Sequence, residues 1–373
     1  MSAPRIEVDL NKIRRNTQTA VRRLNTRGIG VTGVTKAVCG HPAIAQAMQD
    51  GGAVGLADAR LSNVQRLRKA GIACPVTLIR TPMLSQADQV VHSCETSYNT
   101  EIAVIAALAA AALRQNRVHG IILMVEMGDL REGIMPHDLG DMAQQVMEMS
   151  GVALKGVGAN FACLTAIAPN AAKMADLSVL ATETERLCGP FLQTVSGGNS
   201  ANLPWALGGQ STGRINDLRL GEAILLGVDP VTGDQIGGMY MDAFTLIAEV
   251  IETDTKPEPP PVSFVDTDLA RFRVVSNRDN ATRLILAIGH QDTDISGLSM
   301  SPGNSLIGAT SDHLVIGTNR STLKVGSEIR FQMNYSALMH AMAAPDIITT
   351  LLNDWPSLRK RDTQGSDSLL ALV

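Results

Sequence analysis

The stretch VTGVTKAVCGHPAIAQAMQDGGAVGLA (31–57) runs from a β-branched apolar segment through a glycine turn into apolar residues at helical spacing, then into a second short apolar run. Two apolar runs joined by an amphipathic stretch make one strand–helix–strand unit, the building block of a parallel sheet. Reading outward, the unit recurs. Strand-like runs follow at AVGLA (53–57), PVTLIR (75–80), SCETS (93–97), GIILMVEM (120–127), LKGVGANF (154–161), LQTVSG (192–197) and INDLRL (215–220), counting GVTGVTKAV (30–38) as the first and SCETS as the least apolar. Between them PAIAQAMQD, LSNVQRLRKA, TEIAVIAALAAAALRQ, DLGDMAQQVMEMS and AAKMADLSVLATETERL repeat their apolar residues at helical spacing. Eight such alternations predict an α/β chain whose residues 10–235 form a (βα)8 TIM-type barrel rather than an open doubly wound sheet.

Beyond GVDPVTGDQIGGM the character changes. AFTLIAEVIE, TRLILAIG, NSLIGATS, DHLVIGT and EIRFQMN read as strands separated by turns, which predicts a β-strand-rich domain over 236–373, with residues 1–9 pairing into it. DTKPEPPPVSF (254–264) reads as an exposed proline-rich loop, and RKRDTQGSDSLLALV (359–373) as a charged, loosely held tail.

Composition narrows the function classes. The 373 residues are 45% hydrophobic and 18% charged with a net charge of −4, which points away from disorder and from a nucleic-acid partner. No apolar run reaches the roughly 20 residues that span a bilayer, and MSAPRIEVDLNKIRR has no signal-peptide core, so a cytoplasmic protein without membrane contact is expected. Five cysteines, odd in number and far apart, fit reduced thiols better than a disulfide frame or a metal site.

In such a barrel the chemistry gathers at the carboxyl ends of the strands. Those ends here carry Lys36, Asp58 with Arg60, Arg80, Glu126 with Arg131, Asn160, Ser196 to Ser200, and Arg219. Lys36 stands in an apolar run, where an ammonium is costly to desolvate. It either snorkels to solvent or, held among other cations, loses its proton readily enough to attack a carbonyl and form a Schiff base. VSGGNSANL (195–203) places Gly198, Asn199 and Ser200 between the seventh strand and a helix start, and DLRLGEAILLG puts Gly221 at the same place after the eighth. Glycine turns at helix starts bind anions, and the seventh and eighth loops are where barrels commonly hold phosphate. With a strand-end lysine opposite, the ligand predicted is a phosphorylated aldehyde.

These residues resemble the alanine-racemase-like, fold type III pyridoxal-phosphate enzymes, and within them the ornithine and lysine racemase branch. The resemblance covers nearly the whole chain and its motifs occur in the family's order. VTKAVCGHP resembles the motif whose lysine, here Lys36, anchors the cofactor covalently. VEMGDLREGI resembles the stretch whose arginine, Arg131, reaches the cofactor hydroxyl and the substrate carboxylate. GANFA matches the strand end behind the cofactor, GGNSAN the phosphate turn, and DLRLGEAILLG the segment whose arginine, Arg219, faces the pyridine nitrogen. AIGHQDTDI and LIGATSDHLVI are most similar to ornithine and lysine racemases.

The resemblance implies pyridoxal 5'-phosphate, held by Lys36, Arg131, Asn160, Gly198, Asn199, Ser200, Arg219 and Gly221, and a homodimer with shared active sites. It implies a racemase exchanging the Cα proton of an amino acid between two bases. Lys36 would be one. The position of the second matches His290, with His313, Cys163 and Tyr335 in reserve. An arginine at the ring nitrogen, rather than an acid, keeps that nitrogen unprotonated and favours simple proton removal and return. A salt-bridged surface residue is the alternative for Arg219.

Departures from the alanine racemase pattern bear on substrate. Met124 stands where many have a carbamylated lysine supporting the arginine, Val38 and Cys39 where they have a phosphate-binding tyrosine, and Asn160 where they have a histidine. Asp292, Asp294 and Asp312 in the β-domain motifs would suit a basic substrate such as ornithine or lysine, although turn-capping would equally account for them. The alternatives are another fold type III enzyme, a D-amino-acid lyase or decarboxylase; a pyridoxal-phosphate carrier, which would lack the β domain; and a Schiff-base aldolase barrel without the cofactor.

Overall fold

The computed structural model describes residues 3–189, 191–255, 282–319 and 322–352. The chain starts with β1 (Arg5–Asp9) and α1 (Leu10–Asn25), which Asp9 caps by accepting a hydrogen bond from the Lys12 N–H. Eight parallel strands then close on themselves: β2 (Gly30–Val34), β3 (Gly55–Asp58), β4 (Val76–Leu78), β5 (Thr96–Asn99), β6 (His119–Val125), β7 (Val152–Ala159), β8 (Thr194–Ser196) and β9 (Asp217–Leu220). Closure is made by β9 on β2, with Gly30 opposite Asp217. The helices between them are α2 (Pro42–Asp50), α3 (Leu61–Lys69), α4 (Ala87–Ser93), α5 (Ile102–Arg114), α6 (Leu139–Met147), α7 (Ala171–Cys188), α8 (Leu203–Ala206) and α9 (Glu222–Leu226). Each long helix turns its apolar stripe to the barrel, as α2 does with Ile44, Ala45, Ala47 and Met48.

Two elements differ from the sequence expectation. The fourth barrel strand is Thr96–Asn99, not 93–97, because Ser93 ends α4. Its apolar signal is weak for a physical reason: Tyr98 points into the barrel, while Ser97 and Asn99, on the helix-facing side, are fully buried polar residues, Ser97 Oγ paired with His119 Nε2 at 2.8 Å and Asn99 Nδ2 donating to the Ser97 carbonyl at 2.8 Å. The first barrel strand stops at Val34, and Lys36 opens a 3-10 turn, Lys36–Val38, at its carboxyl end.

The second sheet is built from β10 (Phe244–Asp254), β11 (Thr282–Leu286), β12 (Leu298–Met300), β13 (Asn304–Ala309), β14 (Leu314–Thr318) and β15 (Glu328–Met333), in the order β12-β15-β10-β11-β14-β13. β1 joins it, antiparallel to β10 and parallel to β16 (Ile348–Leu352). Arg5 ties this junction, donating to Glu7 at 2.9 Å and to Glu328 at 2.6 Å, while Arg330 donates to Glu7 at 2.5 Å. From the same region α10 (Tyr335–Ala343) packs against the Lys36 turn. Residues 256–264 of the proline-rich stretch and the tail 359–373 lie outside the described residues.

Candidate active site

The carboxyl ends of the barrel strands open on a cavity of about 560 Å³, and Lys36, Arg80, Arg131, Asn160, Asn199, Ser200, Arg219 and Gly221 all line it. That volume suits a small-molecule site.

Lys36 owes its place to a tightly built turn. The Thr35 N–H donates to the Ala57 carbonyl at 2.9 Å and its hydroxyl to Asp58 Oδ2 at 2.7 Å. Asp58 also accepts from the Arg60 N–H and from Asn63 Nδ2, so it serves as a brace between the first two loops rather than as a reacting group. Burial pushes its carboxyl up, against those three hydrogen bonds. The chain then leaves through Cys39 and Gly40, both at positive φ, and a Cβ on Gly40 would stand 2.8 Å from Asn63. Lys36 is left half-buried, facing the cavity.

Arg219 is buried, and the surface salt-bridge alternative does not hold. Its Nη1 donates to the Tyr98 hydroxyl at 2.9 Å and to Ser196 Oγ at 2.7 Å, and its Nη2 to the Ala159 carbonyl at 2.8 Å and Asn160 Oδ1 at 2.7 Å. Ser196 in turn donates to Asp217 at 2.5 Å. Gly158 makes the room: a Cβ there would lie 2.9 Å from the Tyr98 ring and 3.3 Å from Arg219 Nη1.

Asn160 carries this network outward, donating from Nδ2 to Glu132 Oε1 at 2.8 Å. Glu132 holds Arg131, with Nε 2.5 Å from Oε2, and Asp129 stands 3.5 Å away on the same guanidinium. Met124 is buried beside Tyr98 and Ile122 and gives Arg131 no polar support, so the glutamate does that work instead. Glu126 does not face Arg131; it accepts the Gly128 and Leu130 N–H groups and shapes its own loop.

On the opposite wall Asn199 donates to the Phe161 carbonyl at 2.8 Å, and Ser200 Oγ accepts the Ala223 N–H at 3.2 Å, which locks the seventh loop to the eighth. Gly198 sits just behind the cavity wall at φ +100, where a Cβ would meet the Phe161 ring at 2.9 Å.

His290, Asp292, Asp294 and Asp312 do not line this cavity. The Asp292 carboxylate accepts the Gly289 N–H at 2.8 Å and Asp312 accepts from Ser311 Oγ, both within their own turns, while Asp294 accepts from Ser296 in its turn and from Ser336 of α10. The two motifs nevertheless meet. The His290 N–H donates to the Thr310 carbonyl at 2.9 Å and the Gln291 N–H to the Ser311 carbonyl at 3.1 Å, so His290, Asp292, Asp312 and His313 share one two-loop tip. Of the reserve bases, Cys163 and Tyr335 line the cavity. Sequence reasoning missed Tyr98, Glu132 and Glu222. Each had a signal: a tyrosine ending a polar strand, an acid beside Arg131 and an acid after Gly221. Among the described residues no three His, Cys, Asp or Glu side chains are grouped to hold a metal ion, and no helix is long and apolar enough to cross a membrane.

Residues 8–229 match the alanine racemase N-terminal domain. The chain belongs to that family. It is 33% identical to the ornithine racemase of Acetoanaerobium sticklandii over 94% of this chain and 99% of that one. It is also 33% identical to the lysine racemase of Thermotoga maritima, over 92% and 97%. Among solved structures, the alanine racemase of Clostridium difficile 630 in complex with cycloserine superposes with a TM-score of 0.72 at 16% identity, covering 94% of this chain and 96% of that chain. The D-threonine aldolase of Filomicrobium marinum superposes with a TM-score of 0.73 at 15% identity, covering 94% and 91%. At those identities the likeness fixes the barrel and C-terminal sheet. One fold serves racemase and aldolase alike, so the chemistry has to be argued from side chains.

Proposed function

We propose that the protein is a pyridoxal 5'-phosphate-dependent racemase of basic amino acids, ornithine or lysine in type. The observation that carries this reading is the use of Arg219. Four of its five N–H donors are consumed by Tyr98, Ser196, Ala159 and Asn160, which leaves Nε–H as the donor for a ligand in the cavity it lines. A single fixed cationic donor suits an unprotonated ring nitrogen. The rest of the wall fits the same cofactor: Lys36 for the aldehyde, and Ser200 with the glycine turns at Gly198 and Gly221 for the phosphate, where helix starts leave N–H groups without intrahelical acceptors. When bound, the cofactor supplies an electron sink that acidifies the substrate Cα–H.

The chain's own residues then divide the work. Arg131, steadied by Glu132, takes the substrate carboxylate. Lys36 moves the Cα proton on one face. His290 is assigned the other face, supplied with the rest of the two-loop tip to the cavity of a second protomer in a homodimer; its meeting with Thr310 supports that reading, since it gathers both racemase-like motifs at one point. Residues 10–235 serve as the cofactor-binding unit, and 236–373 with 1–9 as the completing β domain. Five free thiols support a cytoplasmic setting.

The test is direct. Purified protein is expected to absorb near the visible edge and to form D-isomer from L-ornithine or L-lysine. Lys36→Ala is expected to lose both the colour and the turnover. A wild-type protein that forms no D-isomer from any basic amino acid refutes the reading. In deuterated water, His290→Ala is expected to lose Cα exchange from one enantiomer only.

A further inference from the structure

The barrel-mouth cavity adjoins a second one of about 540 Å³, set between the segment after α9 and the carboxyl end of β15 with the residues that follow it, Gln332 to Ser336. Glu222, Pro230 and Tyr335 line both cavities, so Glu222 stands at the junction. The two differ in charge. The mouth presents Lys36, Arg80, Arg131 and Arg219 against Glu132, whereas among the described residues the second cavity presents Glu222, Asp229 and Asp242 and no lysine or arginine. Asp242 is already paired with Lys12 at 2.8 Å, and Asp229 accepts the Val231 N–H at 2.8 Å in its own turn.

Glu222 has no such engagement: among the described residues its carboxyl accepts no hydrogen bond and makes no ion pair, and the electrostatic influences on it are the Lys36 ammonium and the Asp229 carboxylate. Its position is nonetheless fixed. The preceding Gly221 packs on Val34, where a Cβ would approach to 3.3 Å, and the following Ala223 is held by Ser200 Oγ. Burial pushes the Glu222 carboxyl up to about 7, with Lys36 drawing it down and Asp229 raising it. A half-buried carboxyl with no donor is costly to keep ionised, and a cation supplied by a ligand removes that cost.

We propose that Glu222 is the specificity-determining residue of this site, accepting the side-chain ammonium of a basic amino acid whose α-carboxylate lies among the arginines of the barrel mouth. The inference rests on the racemase reading above and adds to it the residue that selects the substrate. It also explains why the mouth and its neighbour carry opposite charge, since a basic amino acid presents an anionic end and a cationic tip a few bonds apart.

The experiment uses holoenzyme and two readouts. Binding of L-ornithine and of L-norleucine, in which a methyl group replaces the ammonium, is titrated by the change in cofactor absorbance; kcat/KM for both is measured in parallel. Glu222→Gln, nearly isosteric, is expected to weaken ornithine by about 10-fold or more while norleucine changes less than about twofold, the span expected for losing one charge-assisted hydrogen bond. Glu222→Asp is expected to restore part of the ornithine preference. An unchanged ornithine-to-norleucine ratio in Glu222→Gln overturns the assignment, as does an equal weakening of both ligands. Should wild-type protein turn over no basic amino acid, the racemase reading fails, and the binding ratio alone decides on Glu222.

Discussion

Replacing Arg219 by alanine removes the group on which the cavity floor is organised, and its cost can be worked from the contacts. The guanidinium makes four hydrogen bonds of 2.7 to 2.9 Å and stands with its central carbon 4.5 Å from the Tyr98 ring centroid. Hydrogen bonds to a charged group contribute about 1.5–3 kcal/mol each, and a cation over an aromatic face about 0.5–1 kcal/mol. The simple sum overstates the loss. Ser196 keeps its bond to Asp217, the Tyr98 hydroxyl can turn, and the opened space joins a cavity of about 560 Å³ with room for water. Asn160 Oδ1 is the acceptor left worst off, and the expected net loss is about 3 kcal/mol. Urea unfolding of the cofactor-free protein, extrapolated linearly to zero denaturant, measures it. Arg219→Lys keeps the charge but has one nitrogen where four bonds diverge from two, so it should recover less than half of the loss. A drop below about 1 kcal/mol in the alanine variant, or full recovery in the lysine variant, would refute the view that this network is structural as well as chemical.

Further outcomes follow from the same contacts. Glu132→Gln removes the charge that fixes Arg131 and is expected to raise KM by about 10-fold with a smaller effect on kcat, because Arg131 is assigned to substrate binding rather than to proton transfer; an unaffected KM would show Arg131 to be held otherwise. Asn160→Ala cuts the link between Arg219 and Glu132, and a double-mutant cycle with Glu132→Gln is expected to show coupling of about 0.5–2 kcal/mol in kcat/KM, against strict additivity if the two act apart. His119 is buried, and burial holds its imidazole down at about 4. Its unfolded value is higher, so the neutral folded form is stabilising above about pH 6.5, and that contribution is lost as pH falls toward 4. The slope of unfolding free energy against pH over that window should shrink in His119→Gln; an unchanged slope would assign the acid sensitivity to other groups.

How much of this was legible in the sequence depended on what each residue does locally. The helices read well because their burial is one-sided: PAIAQAMQD marks α2 to the residue, with proline at its start. The fourth strand read poorly because its helix-facing side chains are Ser97 and Asn99; Ser97 is paired with His119 of the neighbouring strand and Asn99 with Ser97, which leaves no trace in local polarity. Lys36, Arg219, Asn160 and Ser200 were legible as polar residues at strand ends. Glu132 and Glu222 were not, since an acid beside an arginine or a glycine is common and only the closed barrel turns these two toward the cavity. The β-domain aspartates show the converse: their motif position pointed to substrate, and their hydrogen bonds are those of turns and, for Asp294, of Ser336 in α10.

The departures at Met124 and Asn160 are best understood together. A lysine-derived support under Arg131 would bring its own charge beside Tyr98 and Ile122, an apolar packet that Met124 instead completes. Moving the support to Glu132 places the acid on the loop itself, where Asn160 can reach it while also accepting from Arg219. A histidine in place of Asn160 could not perform both tasks in its neutral form with this geometry, because the bond to Arg219 needs an acceptor and the bond to Glu132 a donor on adjacent atoms of one amide. The two changes are therefore one change. Accepting an acid as the partner of Arg131 favours an amide as the link to Arg219, and that amide couples the orientation of Arg219, proposed to face the ring, to that of Arg131, proposed to bind the carboxylate.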